Sequence, residues 1–343
     1  MVLPRWNEPC VPVYTTGTSI DTGGQPRESL RTVYGRIDQD IDRAIELLEK
    51  ARETTLAENN KSHINLYVAL GIKSRACLAE GDWDGAFKAA KRVIDEGGYA
   101  VGTKSDLTSG MNSLDKQNVM WGAGIQVADQ AGGYAGFFTH MDNKEGAYAK
   151  SAPKLISKQL YNRISATDIR RDWWDPSDKE SPYVSKKFSF ANVASFLGDY
   201  IYMRVEEMYF TAAEAALRLD DLKSARELMN TVMAERDPGY SANNRSGTLL
   251  GATTTTWTGS FLENILTHRR IELWGEYGRL FDVRRLGQGI DRRTDDGFSE
   301  ECISMMNRRN VNITKADTYD WVLTIPKAEL DANPNINEED QNP

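Results

Sequence analysis

The sequence predicts a mostly α-helical protein assembled from helix pairs, with long irregular loops and a few short strands. Three observations carry that prediction. Apolar residues recur at three- and four-residue spacings through several separated stretches, the period of a helix that buries one face. Two of those stretches, 63–98 and 201–236, share one design: an alanine-bearing helix, a tight glycine or acidic turn, and a second helix. The third observation is Phe261 to Leu286, where Phe261, Ile265, Leu266, Ile271, Trp274, Tyr277, Leu280 and Phe281 keep the helical period. Between them sit Glu263, Arg269, Arg270, Glu272, Glu276, Arg279, Asp282, Arg284 and Arg285. Buried charges survive only when paired, so the segment reads as an ion-pair lattice. Arg270 and Arg285 are expected to meet Glu272 or Asp282, or to reach across to Glu206 or Glu214.

At 343 residues the chain is long enough for two domains or for one elongated helical assembly. A hydrophobic fraction of 40% with eight Trp places it among folded, well-cored proteins. The net charge of −8, and the acids interleaved with its basic clusters, argue against a nucleic-acid partner. Cys10, Cys77 and Cys302 are too few and too far apart for a disulfide framework and contain no CxxC metal pair. No run of eighteen apolar residues signals a membrane-crossing helix, and MVLPRWNEPC has no hydrophobic signal region.

In chain order, residues 1–28 are irregular, rich in Pro, Gly, Thr and Ser. A helix over 31–52 follows from Val33, Ile37, Ile41, Ala44, Ile45 and Leu48. Its Asp38, Asp40 and Asp42 resemble the start of a calcium loop but lack the Gly and Glu that complete one, so they read as a solvated flank. The pair 63–98 turns at Gly81-Asp82-Trp83, with Cys77 on its apolar side, and ends at Gly97-Gly98, where glycine suits a left-handed cap. Shifted by about 139 positions, that turn falls on Asp220-Asp221-Leu222 and Ala86 on Ala225. Such pairs resemble tetratricopeptide repeats, here separated by an insertion over 99–200. Within the insertion the sequence suggests a strand at Asn118 to Val127, a glycine-rich segment to His140, a helix over Ala152 to Ile164, and a β-prone stretch at Tyr183 to Phe190. Residues 241–258 are irregular, and 260–343 form a carboxy-terminal scaffold. A strand is expected at Trp321 to Ile325, and the tail IPKAELDANPNINEEDQNP reads as an irregular strap docked on another part of the chain.

RVEEMYFTAAEAALRLDDLKSARELMNTVMAER (204–236), HRRIELWGEYGRLFDVRRLG (268–287) and LTIPKAELDANPNINEEDQNP (323–343) together resemble the SusD/RagB family of nutrient-uptake lipoproteins of the Bacteroidota outer membrane. VYGRIDQDIDRAIELL and the helix pair ending DEGGYAV look like the same family's middle portion, in the same order. The resemblance implies cell-surface binding of a glycan, or sometimes a peptide, and delivery to a partner SusC-like TonB-dependent transporter. It also implies repeat helices packed against that transporter and loops carrying the ligand contacts. The family's lipoprotein signal, anchoring Cys and first helices are expected to precede what is present here. An intracellular tetratricopeptide scaffold that binds a peptide is the alternative, and an unrecognised glycoside hydrolase a third.

The residues themselves offer no GxSxG elbow, GxxxxGK[ST] loop or HExxH pair. His63, His140 and His268 are too scattered to suggest a metal cluster, so neither catalysis nor a cofactor is expected. Binding a sugar needs a flat aromatic face against the C–H side of a pyranose, with amide or guanidinium groups at the rim. Trp173 and Trp174, in a loop beside Arg171, have that character. Tyr134 and Phe138 in the glycine-rich segment and Trp257 among threonines are the other candidates. Each is weighed against an aromatic tucked under its own loop, and Trp121, on its strand, reads as core.

Overall fold

The computed structural model describes residues 6–15, 17–19, 21–54, 60–128, 135–243, 259–290, 292, 298 and 321–342. It is mostly helical. Helix α1 spans Leu30–Thr54, α2 Leu66–Glu80 and α3 Trp83–Glu96. The insertion then carries α4 (Lys104–Leu107), β1 (Val119–Ala123), α5 (Phe137–Met141), α6 (Ala147–Ser151), α7 (Lys158–Tyr161), a 3-10 turn (Ile169–Trp173), β2 (Trp174–Asp175) and β3 (Val184–Ser185). The chain returns through β4 (Tyr200–Arg204) into α8 (Val205–Arg218), α9 (Leu222–Ala234), α10 (Phe261–Glu272) and α11 (Arg279–Arg285). Among the described residues no helix is long and apolar enough to cross a membrane.

The two helix pairs match in their turns. Gly81 is left-handed with φ 83°, and the Asp82 side chain caps α3 by accepting from the Gly85 N–H. In the second pair Asp220 takes the left-handed position at φ 63°, and Asp221 caps α9 by accepting from the Ser224 N–H. Aspartate tolerates that conformation better than most side chains, so one turn geometry serves both pairs.

The insertion loops out without separating the pairs. Helix α1 packs on α2, α2 on α3, α3 on α8, α8 on α9, and α10 on α8. Ala89, Ala90 and Val93 share one core with Ala212, Ala213 and Ala216, and side chains this small let α3 and α8 approach closely. Cys77 is core beside Leu78, Ala86 and Ala215, where burial pushes its thiol up to about 12. At the neck of the insertion β1 and β4 pair antiparallel, Val119 opposite Arg204 and Ala123 opposite Tyr200, with register irregularities on either side of Trp121. Gly71 of α2 lies under this ribbon, since a Cβ there would collide with Met203 Sδ.

Several expected elements are shorter or absent. The helix over 152–164 is confined to Lys158–Tyr161, because Pro153 lacks an N–H and Leu155 instead bridges Val184. The segment 261–286 is two helices, broken where Gly275 and Gly278 take φ of 75° and 116°, and Leu280 and Phe281 are 56% and 53% exposed rather than buried. No strand forms at 321–325. The Gln341 side chain stands in for a partner strand, accepting from Ile325 N–H at 2.7 Å and donating to its carbonyl at 3.0 Å. The tail docks on the amino-terminal segment, with Asn333 donating to the Gln25 carbonyl at 2.9 Å and Arg27 to the Asp340 carbonyl at 2.8 Å.

The charges of 260–286 form a lattice that reaches well beyond that segment. Glu272, wholly buried, receives Arg170 at 3.2 Å, Arg204 at 3.0 Å and Arg236 at 2.9 Å. Arg236 also meets Glu206 at 2.8 Å, and Asp168 holds Arg170 at 2.6 Å. Burial alone would raise the Glu272 carboxyl, but Arg236, Arg204 and Arg170 outweigh it and hold it well below the usual range. A second group joins Glu207, Arg269, Asp282, Arg285 and Glu214: Arg285 lies 2.7 Å from both Glu214 and Asp282, and Arg269 lies 3.0 Å from Asp282. Arg269, the neighbour of Arg270, is buried and belongs to this second group, while Arg270 is half-buried.

Replacing Glu272 by Gln should cost about 3–5 kcal/mol in urea denaturation, the usual result of leaving buried partners uncompensated. A loss below about 1 kcal/mol would contradict the lattice as drawn. A pH effect should appear at the end of α2, where Glu80 Oε1 is buried without a hydrogen-bond partner among the described residues. Burial first, then Asp38 and Asp82, raise its carboxyl from 4.5 to about 7, while Lys73 opposes them. The raised value means that the folded state holds this proton more tightly. Its contribution is full below 4.5 and lost as pH rises through about 7. The melting temperature of Glu80→Gln should therefore exceed that of the parent at pH 8, with the gap closing towards pH 5.

Candidate ligand-binding cleft

A cleft of about 440 Å³ opens where the insertion meets the scaffold. Its walls come from several separate parts of the chain. The β1–β4 neck supplies Trp121, Tyr200, Ile201 and Tyr202; α5 and the chain after β3 supply Phe137 and Phe188; Met111 comes from the loop before β1. Helix α2 supplies Arg75, and the break between α10 and α11 supplies Gly275, Glu276 and Tyr277. Alternation along β4 puts Tyr200 and Tyr202 on the same face of the strand, and Tyr202 is 41% exposed. Gly275 is required there, since at φ 75° a Cβ would lie 2.5 Å from the Phe188 ring.

The rings are held by one another. Trp121 meets Tyr202 edge-on at 5.1 Å, and Phe137 meets Phe188 edge-on at 5.3 Å and Tyr200 at 5.9 Å. Arg75 lies over the Tyr277 ring, 3.6 Å from its centroid. It grips both Glu207 oxygens, at 2.9 and 2.7 Å, and donates to the Tyr202 carbonyl at 2.7 Å. Glu276 is occupied on both oxygens: Oε1 receives Lys187 at 2.5 Å and Arg204 at 2.8 Å, and Oε2 receives Arg204 at 2.7 Å. Burial would raise this carboxyl, but Arg204 and Lys187 hold it low. Among the described residues no group of His, Cys, Asp and Glu is arranged to hold a metal ion.

Of the residues singled out from sequence, Trp173, Trp174, Phe138 and Arg171 lie outside this cleft. Trp173 and Trp174 are 2% and 1% exposed and pack with Leu107, Ile156 and Leu160, so neither can present a ring face to a ligand. Trp173 donates its indole N–H to the Leu107 carbonyl at 2.8 Å. Two adjacent Trp can both be core because the chain switches there from the 3-10 turn to β2, and each ring meets the other edge-on. Phe138 is 2% exposed, packed against Phe190 and over Gly198; its neighbour Phe137 is the one that lines the cleft. Arg171 pins its own loop, donating to the Ile164 carbonyl at 2.7 Å and stacking on Tyr161. Tyr134 and Trp257 lie outside the described residues. Trp121, read as core, is half-buried in the cleft wall. The legible signal was YIYMR, whose tyrosines two apart share a strand face.

These features define a class: a helical-repeat scaffold whose insertion loops build an aromatic cleft. The chain belongs to the SusD family, whose sequence profile matches residues 139–343. It is similar to a SusD-like carbohydrate binding protein from Bacteroides vulgatus, at 26% identity and a TM-score of 0.76 over 97% of this chain and 71% of that one. A SusD superfamily protein from Bacteroides thetaiotaomicron shares the fold at 22% identity and a TM-score of 0.76, covering 99% of this chain and 72% of that one. Surface glycan-binding protein A from Bacteroides uniformis does so at 17% identity and a TM-score of 0.67, covering 98% of this chain and 74% of that one. No curated protein sequence matches this chain.

Proposed function

We propose that this protein binds an oligo- or polysaccharide in the aromatic cleft at the cell surface, performs no chemistry on it, and passes it to a SusC-like TonB-dependent transporter in the outer membrane. The observation that carries the reading is the cleft itself. Trp121, Tyr202 and Tyr277 line it, and a pyranose stacks its C–H face on such rings while its hydroxyls pair at the rim. A neutral hydrogen bond nets only about 1 kcal/mol, so the rings must supply much of the affinity.

Binding without catalysis is supported by the state of the cleft's carboxylate. Glycoside hydrolysis needs one carboxyl kept protonated and a second as base or nucleophile, whereas Glu276 is locked between Arg204 and Lys187 with its proton affinity lowered. Membership of the SusD family supports the glycan. So does the similarity to a protein described as carbohydrate binding. The transporter partner and the surface location rest on the family alone.

Calorimetric titration of a glycan panel tests this. Trp121→Ala and Tyr202→Ala should each weaken the bound glycan about tenfold, the equivalent of roughly 1.4 kcal/mol, while Arg171→Ala should leave affinity unaltered. Unchanged affinity in both aromatic variants would move the site away from this cleft, and release of reducing sugar by the parent protein would replace binding by hydrolysis.

A further inference from the structure

We propose that the glycan seated in this cleft carries an anionic group, a uronate carboxylate or a sulfate ester, held on the open edge of Arg75. The proposal rests on the reading of the cleft as a glycan site and names the class of glycan.

The first observation is which polar groups remain available. Arg75 spends Nε and Nη2 on Glu207 and on the Tyr202 carbonyl, and among the described residues its Nη1 makes no hydrogen bond. The guanidinium lies over the Tyr277 ring in the cleft wall, and its bonds to Glu207 and the Tyr202 carbonyl hold that edge in place. Glu276, the carboxylate in the same wall, has both oxygens occupied by Arg204 and Lys187. A neutral sugar hydroxyl donates as well as accepts and is best met by free acceptors beside donors. Here the charged groups leave a donor edge open and no carboxylate acceptor, which suits an oxyanion, the natural partner of a guanidinium.

The second observation is charge balance in the surrounding lattice. Around Glu272 the charges match: Arg170, Lys187, Arg204 and Arg236 face Asp168, Glu206, Glu272 and Glu276. Behind Arg75 they do not. Arg75, Arg218, Arg269 and Arg285 share Glu207, Glu214 and Asp282, and Glu207 itself is divided between Arg75 at 2.7 Å and Arg269 at 3.6 Å. Arg279 adds a fifth cation, which among the described residues has no ion pair and reaches only Gln288 Oε1, at 3.4 Å. Burial accordingly pushes Arg279 down to about 10, with Arg285 adding to the effect and Asp282 opposing it. The excess is positive, and Arg75 is where it meets the cleft. The net charge of −8 belongs to the whole chain, and a Debye length of about 8 Å lets the local sign govern the cleft.

The test measures affinity for oligogalacturonate and for sulfated κ-carrageenan oligosaccharides, each beside its own carboxyl-reduced or desulfated counterpart, with neutral xylan, mannan and β-glucan oligosaccharides as a further arm. The expected result is that the tightest ligand is anionic and loses at least about tenfold on neutralisation, a preference that shrinks as salt is raised. The carboxylate and sulfate arms separate the two sources of charge. Arg75→Gln alone strands Glu207, so R75Q/E207Q is tested beside it, and the double variant should bring the charged probe down to the affinity of its neutral counterpart. Tightest binding to a neutral saccharide, with the charged pairs showing no preference, would overturn the proposal and leave glycan binding intact. Binding to none of these saccharides, or only to peptides, would overturn both.

Discussion

The structure depends on one buried carboxylate. Glu272, near the end of α10, is met by Arg170 from the insertion, Arg204 from β4 and Arg236 from the end of the second helix pair. Segments more than a hundred residues apart in sequence are thereby tied to one point. Glu206 extends the tie by accepting from the Gly102 N–H and from Asn118 where the insertion leaves the first pair. Replacing such charges by well-packed apolar residues often leaves stability unchanged or raised, so their contribution is not simply added stability. Their effect lies in direction. An arginine must point at its carboxylate, and three doing so define how the insertion sits on the helices.

That placement builds the cleft. Arg204 connects Glu272 to Glu276, and Glu276 lines the cleft wall. On the other side Arg75 belongs both to the Glu207 group and to the cleft. The recognition surface is therefore the outer edge of the ion-pair lattice. The rings of Trp121, Tyr202 and Phe137 are fixed by the neck and by one another, which lowers the ordering cost that a flexible aromatic surface would incur on binding.

The sequence displayed the scaffold more clearly than the site, for physical reasons. Helix pairs leave a long periodic trace, and the alignment of Gly81-Asp82 with Asp220-Asp221 extends to the left-handed residue and the capping side chain. The lattice was visible only as charges among apolar residues. Its members Arg170, Lys187, Arg204 and Arg236 lie on other elements, and nothing local distinguishes a buried arginine from a solvated one. The cleft was harder still. Trp173 and Trp174 sit in a polar stretch that looks like an exposed loop, yet the 3-10 turn and β2 fold both rings inward. Trp121 sits among apolar neighbours and looks like core, yet the irregular register of β1 leaves it half-buried in the cleft wall.

The central claim, that the Glu272 tie sets how the insertion lies on the helix pairs, is tested most directly by amide hydrogen exchange on Glu272→Gln under native conditions. Faster exchange should concentrate in 168–175, 184–190 and the β1–β4 neck, with α1, α2 and α3 near their parental rates. Uniform acceleration across the chain, or no change at the neck, would contradict it.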